Sequence, residues 1–451
     1  IIEENLTNKE YIENHTEGFN KLEKEIKKFN PILMENLCGI PKEIIRKVAR
    51  IYAKAKTSII FWGMGISQHV HGTQNAFSLI NLALITGHLG KPGTGLHPLR
   101  GQNNVQGASD AGLIPMSYPD YNSVKIKTNN EKMQKFWNSN LDLNEGKTVV
   151  EIIKGINAGE IKGLYVQGEN PAMSDPDLIH TRKSLAKLDH LVVQDIFMTE
   201  TAWFADVVLP ASAHAEKLGT YTNTNRQVQI GRNVVDPPKG VKQDWWIIQE
   251  IAKRIGLDWN YTSPKEIFDE MKLIMPSLNN ISWERLEKEN YVTYPVRSKN
   301  ISGEDIIFYD GFPTSNNLAK IIPVDLINPN DELNSDFPLI LSTGRLLEHW
   351  HTGTMTRKAI ILNDLEPDPI VFINEIDSKF YNIDMTKEVS IETRRGKIKI
   401  KIRYDNDLLP GMLFLPFCFK EAAANVLTNS ELDPIGKIPE LKYSAARIYQ
   451  V

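Results

Sequence analysis

Gly163-Leu164-Tyr165-Val166-Gln167-Gly168-Glu169-Asn170-Pro171 reads as a short apolar strand that stops at a glycine and a proline. Ahead of it, residues 149–156 have helical spacing. After it, residues 190–193 form a second strand that ends at Gln194-Asp195. Residues 206–209, closed by Pro210, predict a third strand, and residues 244–255 an amphipathic helix with Gly256 at its end. Strands alternating with helices place the chain in the α/β class with a mostly parallel sheet. Ligands of such sheets lie beyond the carboxyl ends of the strands. Here those ends carry Gly168, Glu169, Asn170, Gln194 and Asp195, all polar or glycine.

Towards the N-terminus the same grammar recurs. Ile44, Ile45, Val48, Ala49, Tyr52 and Ala53 fall at helical spacing, with Pro41 where a first-turn proline is tolerated. Ser58-Ile59-Ile60-Phe61-Trp62, cut off by Gly63-Met64-Gly65, predicts a buried strand ending in a glycine turn. Residues 73–86 are helical and apolar on most sides, as expected of a helix covered by its neighbours. Residues 265–336, with several prolines and weak periodicity, read as irregular connection. Beyond Phe337, segments 339–342, 371–373, 389–393, 397–403 and 412–415 are short strands separated by turns such as Arg394-Arg395-Gly396. They predict a small C-terminal β-barrel.

The 451 residues allow about three domains, and 41% hydrophobic content supplies ample core. Charge is nearly balanced, 52 basic against 56 acidic, net −4, which excludes a nucleic-acid-binding basic block. No apolar run approaches the roughly 20 residues of a membrane span, and the chain is expected to be cytoplasmic. Cys38 and Cys418 are too few for a disulfide scaffold or a cysteine metal site, and read as ordinary buried thiols.

The least ordinary stretch is Arg100-Gly101-Gln102-Asn103-Asn104-Val105-Gln106-Gly107-Ala108-Ser109-Asp110. Side-chain amides offer donor and acceptor together to heterocycle edges, and glycines let backbone N–H groups approach a ligand closely. A solvated loop would favour Lys, Glu and Ser instead. With the preceding Thr86-Gly87-His88-Leu89-Gly90-Lys91-Pro92-Gly93, this stretch resembles the catalytic subunit of molybdenum- or tungsten-dependent formate dehydrogenases. These belong to the molybdopterin bis(guanine dinucleotide) oxidoreductases. The resemblance continues through residues 194–201, 205–210, Arg226, 242–245, 341–345 and 442–447, and covers nearly the whole chain.

The resemblance implies Rossmann-like, doubly wound sheets in two domains, residues 1–102 and 103–330, each binding one dinucleotide. A cofactor-binding barrel of double-psi type, residues 331–451, would follow. It implies two molybdopterin guanine dinucleotides with Mo or W, and reversible oxidation of formate to carbon dioxide. It also implies that the family's cysteine-ligated [4Fe-4S] cluster and metal-ligating residue lie on a first third that this chain lacks. The chain by itself is then expected to be inactive, and to work with that segment and an iron–sulfur or flavin electron-transfer subunit. The rivals are a nitrate reductase-like relative and a non-catalytic scaffold of the same fold.

Residue by residue, Arg100 matches the arginine beside the metal, where a guanidinium grips a carboxylate bidentately; the plainer role is to brace its loop. Gln102 matches a position at the pterin. Gly63, Met64, Gly65 and Gln68 match the first dinucleotide turn, although the run is not a true G-x-G-x-x-G. Gly168, Glu169 and Asn170 match the second, followed by Gln194 and Asp195, where a carboxylate can accept guanine N1–H and N2–H together. Asp195 could instead cap its strand, and Asp244 its helix. Thr343, Arg345 and His349 match a segment wrapping the cofactor, with a surface location as the rival for His349. Two i, i+2 histidines at His349-Trp350-His351 are weak evidence for a metal. Asn425, Lys442 and Tyr443 resemble C-terminal pterin contacts, with simple packing as the alternative.

Overall fold

In the computed structural model, which describes residues 1–451, contacts divide the chain into two units. One joins Ile1–Leu99 with Ile306–Val451, and the other is Arg100–Asp305.

The first unit opens on helices and a parallel strand pair. Helix α1 (Lys42–Lys54) leads to β1 (Ile59–Trp62), and helix α2 (Gly72–Thr86) leads to β2 (Gly95–Pro98), which pairs parallel with β1. Helix α2 is covered as its composition demands, burying Asn81, Ala83, Leu84 and Ile85 against Ile12, Leu22, Leu89 and Ile321. Strand β1 is not the buried strand its apolar run predicts: Ile59 is 43% and Phe61 58% exposed. Parallel strands read as buried because both faces are normally covered, and here the sheet has only two strands with no layer over that face. Ile44, Val48 and Ile51 on α1 are uncovered in the same way. Cys38, expected to be buried, is exposed at the end of the helix Pro31–Cys38, while Cys418 is buried.

The second unit begins with the amide-rich loop and helix α3 (Val105–Asp110). Helix α4 (Val149–Asn157) is started by a Thr148–Glu151 capping box. Strand β3 (Gly163–Gln167), helix α5 (Leu178–Leu185), strand β4 (His190–Asp195) and strand β5 (Val207–Pro210) complete an α/β layer. Its sheet runs β3-β4-β5, all parallel, with Val166, Leu191 and Val193 in its core. Strands β6 (Gly219–Thr222) and β7 (Gln227–Gly231) form a hairpin, and helix α6 (Asp244–Arg254) follows.

The expected irregular connection then departs from the sequence reading. Residues 264–293 hold helix α7 (Pro264–Ile274), helix α8 (Trp283–Glu289) and strand β8 (Tyr291–Thr293), which extends the hairpin into an antiparallel sheet β8-β7-β6. Phe268, Leu278, Ile281, Trp283, Leu286 and Val292 make its core. The prolines here are starts: Pro264, just ahead of the stretch, occupies the first turn of α7, and Pro276 opens the helical turn Pro276–Leu278, where a missing N–H costs nothing.

Back in the first unit, six strands close a barrel: β9 (Leu339–Gly344), β10 (Ile370–Ile373), β11 (Val389–Thr393), β12 (Lys397–Tyr404), β13 (Met412–Pro416) and β14 (Ser444–Gln450). Their order is β9-β13-β10-β12-β11-β14, returning to β9. Alternation dictates the inside. Along β12, Lys397, Lys399 and Lys401 face out while Ile398, Ile400 and Ile402 join Leu341, Val371, Ile391 and Leu413 in the core. No helix of the chain is long and apolar enough to cross a membrane.

Candidate functional site

In the first unit, candidate residues converge at the carboxyl end of β9. Thr343 is buried and its hydroxyl donates to the Leu441 carbonyl at 2.6 Å. The Lys442 ammonium donates to the Thr343 carbonyl at 2.5 Å, and Lys442 N donates to the Gln68 carbonyl at 3.3 Å. Three distant segments, the turn after β1, the end of β9 and the stretch before β14, are thereby tied together. Arg345 lies 4.6 Å over the Trp350 ring and makes no ion pair. Desolvation, and then the Arg345 charge, hold Lys442 down to about 8. His351 is pushed down to about 4 by burial and then by Arg345 and Lys442, so it is neutral at pH 7. Two cations without an acid partner and a neutral imidazole suit an anion such as a pyrophosphate.

Other candidates stand around this cluster with different partners. Met64 is 40% exposed in the glycine turn, and the Gly63 and Gly65 backbones have open space where a side chain would be. His349 is not at the surface: it is buried, with Nε2 2.7 Å from the Glu366 carbonyl and its ring edge-on to Phe419. The histidine under the cationic cluster is His351. Asn425 is buried and accepts from the Thr428 hydroxyl at 3.2 Å. Tyr443 lines a cavity of about 640 Å³, walled by Leu79, Leu82, Phe29, His69, His71 and Glu440, that none of the other candidates reaches.

In the second unit the carboxyl ends of β3 and β4 gather carboxylates. Gly168 N donates to the Gln194 carbonyl at 2.9 Å, and Gly168 adopts φ +61°, a left-handed turn that suits glycine. Buried Gln194 accepts from the Tyr165 hydroxyl and donates to Asp244 Oδ1 at 2.7 Å. Asp244 also receives Lys217 Nζ at 2.5 Å. Asp244 is therefore no cap: Gln243 holds that position, and the Asp244 side chain turns to the sheet rim. Asp195 realises its cap reading, accepting from Ile196 N at 2.6 Å. Desolvation and the Asp244 charge still hold its carboxyl above the usual range. Glu169 is raised too, by desolvation and then by Asp195. Crowded acceptors of this kind suit a ligand edge rich in N–H donors.

The Asn170 amide is already spent, donating to Glu200 at 2.7 Å and accepting from Thr201 N and Oγ1. It anchors the turn after β4. Arg100 is half-buried, with Nη1 3.4 Å from the Ser109 hydroxyl, and it pairs with no carboxylate. Gln102 is exposed beside it in the chain. Sequence reasoning missed Lys217 and Tyr165, because their partners lie 27 and 29 positions away. It weighed His351 only as a weak metal ligand.

Comparison with known proteins agrees with this arrangement. Residues 12–254 match the molybdopterin oxidoreductase family, and residues 339–445 match the molybdopterin dinucleotide-binding domain. The chain is 44% identical to the F420-dependent formate dehydrogenase subunit alpha of Methanocaldococcus jannaschii, over all of this chain and 67% of that protein. It is 38% identical to the F420-dependent formate dehydrogenase 1 subunit alpha of Methanococcus maripaludis, with the same coverage. It is 36% identical to formate dehydrogenase H of Escherichia coli, over 99% of this chain and 63% of that protein. The chain thus spans about two thirds of the length of these relatives. Acetylene hydratase from Pelobacter acetylenicus shares the fold, with a TM-score of 0.77 at 19% identity over all of this chain and 69% of that one. The anion-ready barrel end, the carboxylate-lined sheet rim and the sequence likeness agree: this chain belongs to the molybdopterin oxidoreductase family, in the branch of the formate dehydrogenase catalytic subunits.

Proposed function

We propose that this chain supplies the cofactor cradles and the substrate-anchoring arginine of a molybdopterin-dependent formate dehydrogenase. The reaction is HCOO⁻ → CO₂ + H⁺ + 2e⁻, and its reverse. The observation that carries the reading is the half-buried Arg100 guanidinium, which faces a hydroxyl and no carboxylate. A planar, permanently charged fork with no carboxylate of its own binds a substrate carboxylate bidentately and fixes its plane.

Two molybdopterin guanine dinucleotides fit the two donor sets. Lys442 and Arg345 would hold phosphate oxygens of one, with neutral His351 beside them. Asp195, Glu169 and Asp244 would accept guanine N–H groups of the other. The turn Gly63-Met64-Gly65, with Gln68, and the end of β9 at Thr343 would follow the first nucleotide's backbone. Gln102, His349, Asn425 and Tyr443 would line pterin. When bound, the cofactor, with molybdenum or tungsten, supplies the two-electron redox chemistry. The chain's own residues bind, orient and balance charge around it. A [4Fe-4S] cluster would sit on a segment outside this chain, and an iron–sulfur or flavin subunit would take the electrons onward. The relatives' names give no support to nitrate reduction or to an inert scaffold.

The test is Arg100→Lys in the cofactor-loaded enzyme. Lysine keeps the charge but loses the fork, so kcat/KM for formate should fall at least about a hundredfold, while guanine and phosphorus content stays at the wild-type level. Undiminished formate turnover would overturn the assignment.

A further inference from the structure

Behind Arg100 lies a network that the cofactor reading does not use. Asp110 closes helix α3 and is only 5% exposed. Its Oδ1 accepts from Gln106 Nε2 at 2.7 Å, and its Oδ2 from the Tyr294 hydroxyl at 2.6 Å. Tyr294 directly follows strand β8, 184 positions further along. Its backbone carbonyl is held by the Arg226 guanidinium, which also donates to the Glu304 and Asp305 carbonyls. At the other end of α3, Asn104 Oδ1 accepts from Thr222 N on β6 at 2.8 Å. The short helix is thus pinned at both ends to the sheet β8-β7-β6.

The consequence concerns charge. Asp110 follows Ser109, the residue whose hydroxyl meets Arg100. The Asp110 and Arg100 charges also act together, in opposite senses, on the Tyr121 phenol. The buried Asp110 carboxylate, which also hydrogen-bonds the Tyr121 phenol, and the Arg100 guanidinium thus act on the same phenol, yet no ion pair joins them. A carboxylate within reach could take a guanidinium fork bidentately. Here both carboxylate oxygens are occupied by neutral donors.

We propose that Tyr294 and Gln106 are positioning residues that hold the Asp110 carboxylate away from Arg100, leaving the guanidinium for the substrate's carboxylate. This rests on the reading of Arg100 as the formate anchor. A phenol on one oxygen and an amide on the other satisfy Asp110 where it stands. Removing either donor frees an oxygen to swing to Arg100. Asp110 then becomes an internal competitor of formate, and the loss falls on KM and not on kcat.

The experiment uses the cofactor-loaded enzyme in four forms: wild type, Tyr294→Phe, Asp110→Asn and the double variant. Two readouts are taken. One is KM and kcat for formate with a dye acceptor. The other, independent of turnover, is the formate concentration that half-protects Arg100 from a 1,2-dicarbonyl reagent, read by peptide mass spectrometry. Tyr294→Phe should raise both KM and the protection midpoint about tenfold, the worth of one competing ion pair at a half-buried site, with kcat within about twofold. Adding Asp110→Asn should return both to within about twofold of wild type, because the competing charge is gone. A merely structural Tyr294 would give a double variant no better than the single one, and that result overturns the proposal, as does an unchanged midpoint in Tyr294→Phe. If formate fails to protect Arg100 in the wild type, the anchor reading itself is wrong. Should Tyr294→Phe not fold, Gln106→Leu frees the other oxygen and must show the same rise and the same rescue.

Discussion

The barrel-end cluster makes a quantitative prediction about pH. Without an anion, desolvation and the Arg345 charge hold the Lys442 ammonium down to about 8, from 10.5. A diphosphate against Lys442 and Arg345 reverses the sign of the local field and returns the ammonium to its ordinary range. Between pH 8 and 10.5 the complex then holds one more proton than the free protein. Affinity must therefore be flat below pH 8 and fall about tenfold per pH unit above it. From pH 7.5 to 9.5 the loss is about twentyfold, or about 2 kcal/mol. His351 adds nothing to this slope, since it is pushed down to about 4. The assay is titration calorimetry of adenosine diphosphate, a diphosphate whose base, unlike guanine, does not titrate here, into cofactor-free protein at pH 7.5, 8.5 and 9.5, a range in which the ligand's phosphates stay ionised. Lys442→Met is the control. It loses a charge-assisted contact, so at pH 7.5 it should bind at least about tenfold more weakly, and its affinity should not vary with pH. Equal wild-type affinities at pH 7.5 and 9.5, or a slope that survives in Lys442→Met, would refute the reasoning.

Two further outcomes follow from the same unit. His351 is folded with its imidazole neutral and unfolds into a chain where it titrates normally, near 6.5. The unfolded state thus takes up the proton first, and stability is lost as pH falls from 6.5 to 4, by about 3 kcal/mol. His351→Gln should flatten this arm in urea denaturation, and an acid arm as steep as wild type would count against it. At Gly72, a Cβ would stand 1.9 Å from the Ser67 carbonyl oxygen and 2.8 Å from its carbon. Gly72→Ala must therefore push the turn that carries Met64 and Gln68, at a cost of about 2–3 kcal/mol. Melting temperature and guanosine diphosphate affinity should fall together, and an unshifted melting curve would contradict the packing.

Much of the fold was legible because its signals are local. A strand cut by Gly168, the helical spacing of residues 149–156 and the alternation Lys397-Ile398-Lys399-Ile400 each declare themselves within eight residues. What misled was also local. Pro276 misleads because a proline can end one helix and begin another with the same residue. Ile59 and Phe61 mislead because composition reports what a strand can bury and says nothing about whether a layer is there to bury it. The links that build the sites are long-range. Lys442 reaches Thr343 across 99 positions and Tyr294 reaches Asp110 across 184, and no periodicity encodes such pairs.

At the site, the plain and functional readings separate on one question: which polar groups are already spent. Asn170 matched the dinucleotide turn by its place in the sequence, yet its amide is consumed by Glu200 and Thr201, so its contribution to a ligand is through the turn it holds. Asp195 is partly spent on Ile196 N, and remains an unrelieved acceptor because Asp244 stands near. Lys442 and Arg345 have no acid partner at all. Burying unpaired charge costs several kcal/mol per ion, a cost that folding alone does not recover. The first unit's unpaired cations and the second unit's crowded acceptors are therefore each the complement of something outside the chain. On the proposed reading, phosphate oxygens of one nucleotide would relieve the first, and guanine N–H groups of the other would relieve the second.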